Sequence, residues 1–214
     1  MSLFDTNGEF IDGWETQFDR NSGARLYDTI GSDVQSNLYI GNIDSRGSDA
    51  SVQKFDVNGN FITDWCLLFQ DDFDFSDFGI DVAPNGNVFV VDANNHHVQV
   101  YSSDGDLIRV WSDPDWSEER VPRAVALDND GNVHITESMR GTNTSDMKIG
   151  KYTPEGELLE EWGEVGPGPG ALLGPYSIAV EGNGIIYIAD WKKRNVQKFV
   201  PRFRYPGILL GDQQ

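Results

Sequence analysis

Short apolar runs cut by polar turns recur from one end of the chain to the other. Val88, Phe89, Val90 and Val91 are consecutive apolar positions without alternation, as in a strand covered on both faces. The stretch "VQKFDVNGNFITDW" (52–65) reads as a strand, a tight turn at Asn58-Gly59 and a second strand. No ten-residue stretch spaces its apolar positions at a helical period, and Gly, Asn and Asp interrupt the chain too often for helices. The pattern predicts an all-β fold.

The opening phrase is one of four copies. "FDTNGEFIDGW" (4–14), "FDVNGNFITDW" (55–65), "YSSDGDLIRVW" (101–111) and "YTPEGELLEEW" (152–162) end on tryptophans 51, 46 and 51 residues apart. A second phrase lies between them: "IDVAPNGNVFVVD" (80–92), "VALDNDGNVHITE" (125–137), "IAVEGNGIIYIAD" (178–190) and a weaker "YDTIGSDVQSNLYIGN" (27–42). Each phrase is a hairpin, with turns such as Asn85-Gly86, Asp130-Gly131 and Asn183-Gly184 that tolerate positive φ. One repeat therefore holds four strands: an innermost one near Ile80, a second at Val88 to Val91, a third at Val98 to Tyr101 and an outer one at Leu107 to Trp111. Four antiparallel strands with a period of about 40–50 residues make the blade of a β-propeller. We expect a single domain with blades at roughly 15–65, 66–111, 112–162 and 163–214, and residues 4–14 as an extra outer strand.

Charge narrows the partners. Asp plus Glu number 35 against 16 Lys plus Arg, a net charge of −19. Such a surface repels phosphate backbones and anionic lipid, which argues against nucleic acid. No apolar run approaches the roughly 20 residues of a membrane helix, so a soluble chain without membrane insertion is expected. The start "MSLFDTNGEF" has neither the basic nor the apolar segment of a signal peptide, and the compartment stays unknown. A single cysteine, Cys66, excludes an internal disulfide framework.

"GIDVAPNGNVFVVDANNHHVQVYSSDGDLI" (79–108) and "PYSIAVEGNGIIYIADWKKRNVQKF" (175–199) resemble NHL repeats. The resemblance spans residues 4 to 199 and implies a propeller, commonly of six blades. The family includes protein-binding, RNA-binding and enzymatic members, so it implies no single activity.

Candidate chemistry belongs at one mouth of the axial channel. Just before the innermost strands the repeats align Arg25, Phe78, Arg123 and Tyr176, a mixed cationic and aromatic ring suited to a polar or anionic ligand. Loops between second and third strands add Asn94, His96 and His97, then Glu137 and Arg140, then Trp191, Lys192, Lys193 and Arg194. Within the innermost strands Asp28 and Asp81 align with Ala126 and Ala179, and two channel carboxylates would suit Ca²⁺ or Mg²⁺. Adjacent His96 and His97 would point to opposite faces of a strand, and His134 reads as a packed strand residue. Asp92 and Asp190 recur at one blade position and read as internal hydrogen-bond acceptors. No Gly-x-Ser-x-Gly elbow, phosphate loop or His-Glu-x-x-His motif is present, and "GEVGPGPGALLGP" (163–175) reads as a loop.

The leading expectation is a non-catalytic scaffold that presents one propeller face to a protein or glycan partner and needs no cofactor. The alternative is a lyase or lactone hydrolase with a divalent ion on the axis. Pairing of residues 10–14 with 196–199 would close a four-bladed ring; an open arc that self-associates through its blade edges, or that forms part of a larger propeller, is the favoured expectation.

Overall fold

The computed structural model describes residues 2–4, 7–13, 25–44, 50–68, 78–139, 147–182 and 184–200, with the backbone alone for 2–4, 11, 12, 25–28, 43 and 44. Every regular element among these residues is a strand. They form a four-blade β-propeller arrangement of antiparallel sheets.

Blade one contains β3 (Arg25–Ser32), β4 (Leu38–Asp44), β5 (Ala50–Phe55) and β6 (Phe61–Cys66), in that spatial order. Blade two contains β7 (Phe78–Val82), β8 (Val88–Asp92), β9 (His97–Tyr101) and β10 (Leu107–Trp111). Blade three contains β11 (Arg120–Leu127), β12 (Val133–Met139), β13 (Lys148–Tyr152) and β14 (Leu158–Trp162). Blade four has three strands among the described residues, β17 (Pro175–Val180), β18 (Ile186–Asp190) and β19 (Asn195–Phe199). The run at 163–175 is a loop pinned by a short parallel pair, β15 (Glu164–Val165) and β16 (Ala171–Leu172).

The turn sequences explain the hairpins. At Asp56 the carboxylate accepts the amides of Asn58 and Asn60, while the backbone closes the turn from Gly59 N to Asp56 O at 2.9 Å. Asp128 does the same with Asp130 and Asn132. An aspartate at the start of the turn thus supplies acceptors that the tightly curved backbone lacks.

Packing between blades follows one rule. The outer-strand tryptophan of blades one to three leans on the third-strand aromatic of the next: Trp65 on Tyr101 at 6.0 Å, Trp111 on Tyr152 at 5.3 Å and Trp162 on Phe199 at 4.8 Å between ring centroids. Apolar layers fill the rest. Val88 and Val90 join Tyr39 and Val52 between blades one and two, and Phe89 and Val91 join Val125, Val133 and Ile135 between blades two and three. The bare strand run at 88–91 is buried on both faces because it lies between two neighbours.

The N-terminal segment differs from expectation. β1 (Ser2–Phe4) pairs with β2 (Phe10–Gly13), so residues before Phe4 join the element and it has two strands. Its register, Phe4 opposite Phe10 and Leu3 opposite Asp12 across a bulge, repeats that of β5 and β6, where Phe55 faces Phe61 and Lys54 faces Thr63. The hairpin thus has the register of a third and outer strand, as a two-stranded sheet of its own. β2 takes β1 as its partner, and the fourth sheet among the described residues ends at β19, so the proposed closing pair is not formed. Trp14 and residues 201–214 lie outside the described residues.

Candidate functional site

The four innermost strands run side by side around the axis and enclose a cavity of about 260 Å³ lined by Thr29, Gly79 to Asp81, Ala124 to Ala126 and Ser177 to Val180, with Ile30. Small residues make this approach possible. A Cβ on Gly79 would meet the Ala124 Cα and Val125 N at 3.1 Å, so backbones of blades two and three touch here. Thr29 Oγ1 accepts the Ile80 amide at 3.2 Å and ties blade one to blade two.

At one end the cavity continues into a mouth of about 100 Å³ where Thr29, Phe78, Gly79, Arg123, Ala124, Tyr176 and Ser177 meet. The structure thus brings Phe78, Arg123 and Tyr176 of three blades to one opening. Their settings differ. Phe78 is buried, its ring filling the space that Gly41 leaves by having no side chain. The Arg123 Nε donates to Ser138 Oγ, and the guanidinium lies 6.0 Å from the centre of the half-exposed Tyr176 ring.

Strand register explains how these side chains arrive there, and it changes the alignment. In β11 the pairing steps from Pro122 opposite Glu137 to Ala124 opposite Thr136, leaving Arg123 as an extra residue. In β17 it steps from Pro175 to Ser177, leaving Tyr176. In β3 it steps from Tyr27 to Thr29, leaving Asp28. A bulge re-aims the extra side chain. Asp28, rather than Arg25, is therefore level with Arg123 and Tyr176, while Arg25 lies three residues earlier, opposite Asp44. The same register sets Asp81 level with Gly31, not with Asp28, because Gly31, Asp81, Ala126 and Ala179 each precede the last residue of their ladder. The expected Asp28–Asp81 pairing across the channel therefore loses its basis in alignment. The side chains of Arg25 and Asp28 lie outside the described residues.

Asp81 is spoken for. One carboxylate oxygen accepts the Val82 amide and the other the Leu127 amide of blade three, both at 2.8 Å. Burial raises its pKa against these two hydrogen bonds. Among the described residues no group of three or more His, Cys, Asp or Glu could hold a metal ion.

A family profile described as NHL repeat matches residues 79–101, the core of blade two. A human protein named NHL repeat-containing protein 3 is 23% identical over 199 residues, covering 87% of this chain and 55% of that protein. Blade two thus carries an NHL repeat, and the chain is similar to an NHL-repeat protein along most of its length. Solved structures agree on the fold: a Bacteroides caccae protein of unknown function, 13% identical with a TM-score of 0.51, is matched over 91% of this chain and 66% of its own. A regucalcin from Agrobacterium tumefaciens, described as a calcium-binding protein, is 14% identical with a TM-score of 0.58 over 87% of this chain and 60% of its own. The chain spans about half the length of the human relative and under two thirds of the two solved structures.

The remaining candidates lie at the same end of the blades but outside the mouth. In blade two, β8 ends at Asp92, opposite Phe78, and the turn 93–96 follows. His96 stands in that turn at φ 55°, not on the strand, so strand alternation does not separate it from His97. Arg194 has the matching place and φ 56° in blade four and is exposed. Arg140 falls outside the described residues. Asp92 and Asp190 serve their own turns: Asp92 accepts the amides of Asn94 and Asn95 at 3.0 Å, and Asp190 accepts those of Lys193 and Leu173.

Glu137, read from sequence as a rim residue, is fully buried in β12. It occupies the place of Asp92, and its carboxylate takes Arg120 Nε and the Tyr152 hydroxyl, each at 2.7 Å. Burial pushes the Glu137 pKa up even against Arg120 and Tyr152. Arg120 also pairs with Glu161, which in turn holds Lys148, so this network clamps β11 to β14 across blade three. The exchange of Asp for Glu at 137 was its one signal in the sequence.

Proposed function

We propose that this NHL-repeat protein is a non-catalytic binding scaffold that engages a protein or glycan through the mouth at Phe78, Arg123 and Tyr176. The convergence of a guanidinium, a half-exposed phenol ring and the hydroxyl residues Thr29 and Ser177 on one opening carries this reading. Such a set binds by stacking and hydrogen bonds, and the hydrogen bonds of Asp81, Asp92 and Asp190 give those carboxylates structural work instead. Screening wild type against peptide and glycan arrays, with Arg123→Ala and Tyr176→Ala beside it, tests the proposal. Loss of about tenfold or more in both variants is expected for a mouth contact. Partners retained at full strength by both variants refute it.

A second reading, a propeller enzyme with a divalent ion on the axis, draws on Asp81 beside the channel cavity and on the likeness to a regucalcin described as calcium-binding. Calorimetric titration with Ca²⁺ and Mg²⁺ separates the two. Stoichiometric binding lost in Asp81→Asn supports the enzyme; no heat supports the scaffold.

A further inference from the structure

We infer that the mouth and the adjoining rim of blade four form a platform for a saccharide carrying a carboxylate, an inference that rests on the mouth being the binding surface.

The rim is continuous in the chain's own register. Pro175 pairs with Asp190, and the next residue, Trp191, donates its amide to the Gly174 carbonyl at 3.0 Å. The indole then lies over Gly174, so closely that a Cβ there would meet Nε1 at 2.6 Å. Two residues further on, Tyr176 is bulged toward Arg123. Two aromatic rings, Tyr176 at 50% and Trp191 at 62% exposure, therefore stand on neighbouring rows of one rim. Cations flank both. Lys192 Nζ sits 5.4 Å from the Trp191 ring centre, Arg123 sits over Tyr176, and exposed Arg194 closes the turn. The matching turn of blade two, Ala93 to His96, has a buried alanine in place of the tryptophan and neither Lys nor Arg.

Exposed aromatic planes with polar edges suit the C–H faces of sugar rings, and guanidinium groups suit a planar carboxylate. The mouth is small, at about 100 Å³. That space admits a carboxyl group and part of the ring bearing it, with Thr29 and Ser177 beside it. The net charge of −19 does not forbid this. At physiological salt the Debye length is about 8 Å, so the groups beside the mouth rather than the net charge govern a ligand with one or two charges, whereas a nucleic acid demands many phosphate contacts at once.

The test uses wild-type protein, a tetrasaccharide of uronic acid, the neutral tetrasaccharide of the same linkage, and a tetraglutamate peptide, followed by tryptophan fluorescence and calorimetry. The uronate is expected to bind about tenfold or more tighter than the neutral sugar, and Arg123→Ala and Trp191→Ala each to weaken it about tenfold. Arg194→Ala, at an exposed turn, supplies a variant whose folding is unaffected, with an expected loss of a few-fold. Absence of uronate binding, equal binding of tetraglutamate, or undiminished binding by folded Trp191→Ala overturns the inference. If uronate is silent while an array partner is still lost in Arg123→Ala, the mouth reading survives and this one alone falls.

Discussion

Three blades repeat a polar triad that blade two replaces with apolar residues. Asp33, Tyr39 and Lys54 in blade one, Asp128, His134 and Lys151 in blade three, and Glu181, Tyr187 and Lys198 in blade four hold equivalent positions. The hydroxyl or imidazole reaches the carboxylate at 3.1, 3.2 and 2.9 Å respectively, and the lysine lies over the ring in blades one and four but pairs with Asp128 at 3.0 Å in blade three. Blade two has Ala83, Phe89 and Val100 instead. Burial would raise the Asp128 pKa, but hydrogen bonds from Asn132, Lys151 and His134 outweigh it and hold the carboxyl below its usual range. Burial lowers the His134 pKa, more than Asp128 raises it, and Nδ1 has no partner. The unfolded chain therefore binds this proton more readily, so stability is lost as pH falls through about 6.5 toward the folded pKa. His134→Phe is expected to flatten that part of the curve, read as melting temperature between about pH 7.5 and 5.5. A wild-type slope retained in the variant assigns the acid sensitivity elsewhere. Blade two also shows how to rebuild the triad: Asp128→Ala alone leaves buried His134 without its acceptor and costs about 1–3 kcal/mol, whereas Asp128→Ala with His134→Phe and Lys151→Val recovers most of it. Chemical denaturation of the single and triple variants measures both.

At the scale of elements, the tryptophan at the end of the outer strand in blades one and two meets a turn glycine of the next blade. A Cβ on Gly105 would stand 2.7 Å from Trp65, and one on Gly156 would stand 2.6 Å from Trp111, while both glycines adopt φ near +90°. This contact locks the turn of one blade to the outer strand of its predecessor. Gly156→Ala meets a conformational cost of about 1–2 kcal/mol before any clash, which lowers the melting temperature by about 2–8 °C. An unchanged melting temperature means that the turn relaxes and the contact is dispensable. The four copies of the phrase ending in Trp made this element readable, since aromatic, Asn-Gly or Asp-Gly and Trp recur at fixed spacing. The bulges were not readable. An extra residue at Asp28, Arg123 or Tyr176 shows only when the opposite strand is known, so alignment of the repeats sets Arg25 at a level it does not occupy.

For the whole molecule, equivalent positions in different blades have opposite surroundings. Val98 of blade two is fully buried against blade three, while Val196, its counterpart in blade four, is 66% exposed. Val98→Asp buries an unpaired carboxylate and is expected to prevent folding, whereas Val196→Asp changes stability by less than about 0.5 kcal/mol in a monomer. We propose that the chain self-associates through open blade edges, with Val196 of blade four among the contacts, and this predicts that Val196→Asp reduces the mass seen by light scattering; equal masses for variant and wild type argue against it. The net charge of −19 sets a second expectation. Raising NaCl from about 0.01 M to about 0.15 M shortens the Debye length from about 30 Å to about 8 Å, which relieves self-repulsion and should raise the melting temperature. A flat or falling profile shows that the acidic groups are too dispersed to matter.

The sequence alone determined the class, the repeat and the strand order within a blade, because alternation, apolar runs and turn residues are local consequences of backbone geometry. Tyr152, Trp111 and Gly156 could be named as recurring positions before their contact was known. Only the tertiary structure decided which residues share the mouth, that Asp81 is tied to Leu127, and that Glu137 is buried beneath Arg120. Those outcomes depend on register between strands and on packing between blades, where one extra residue redirects a side chain and no local pattern records the neighbour.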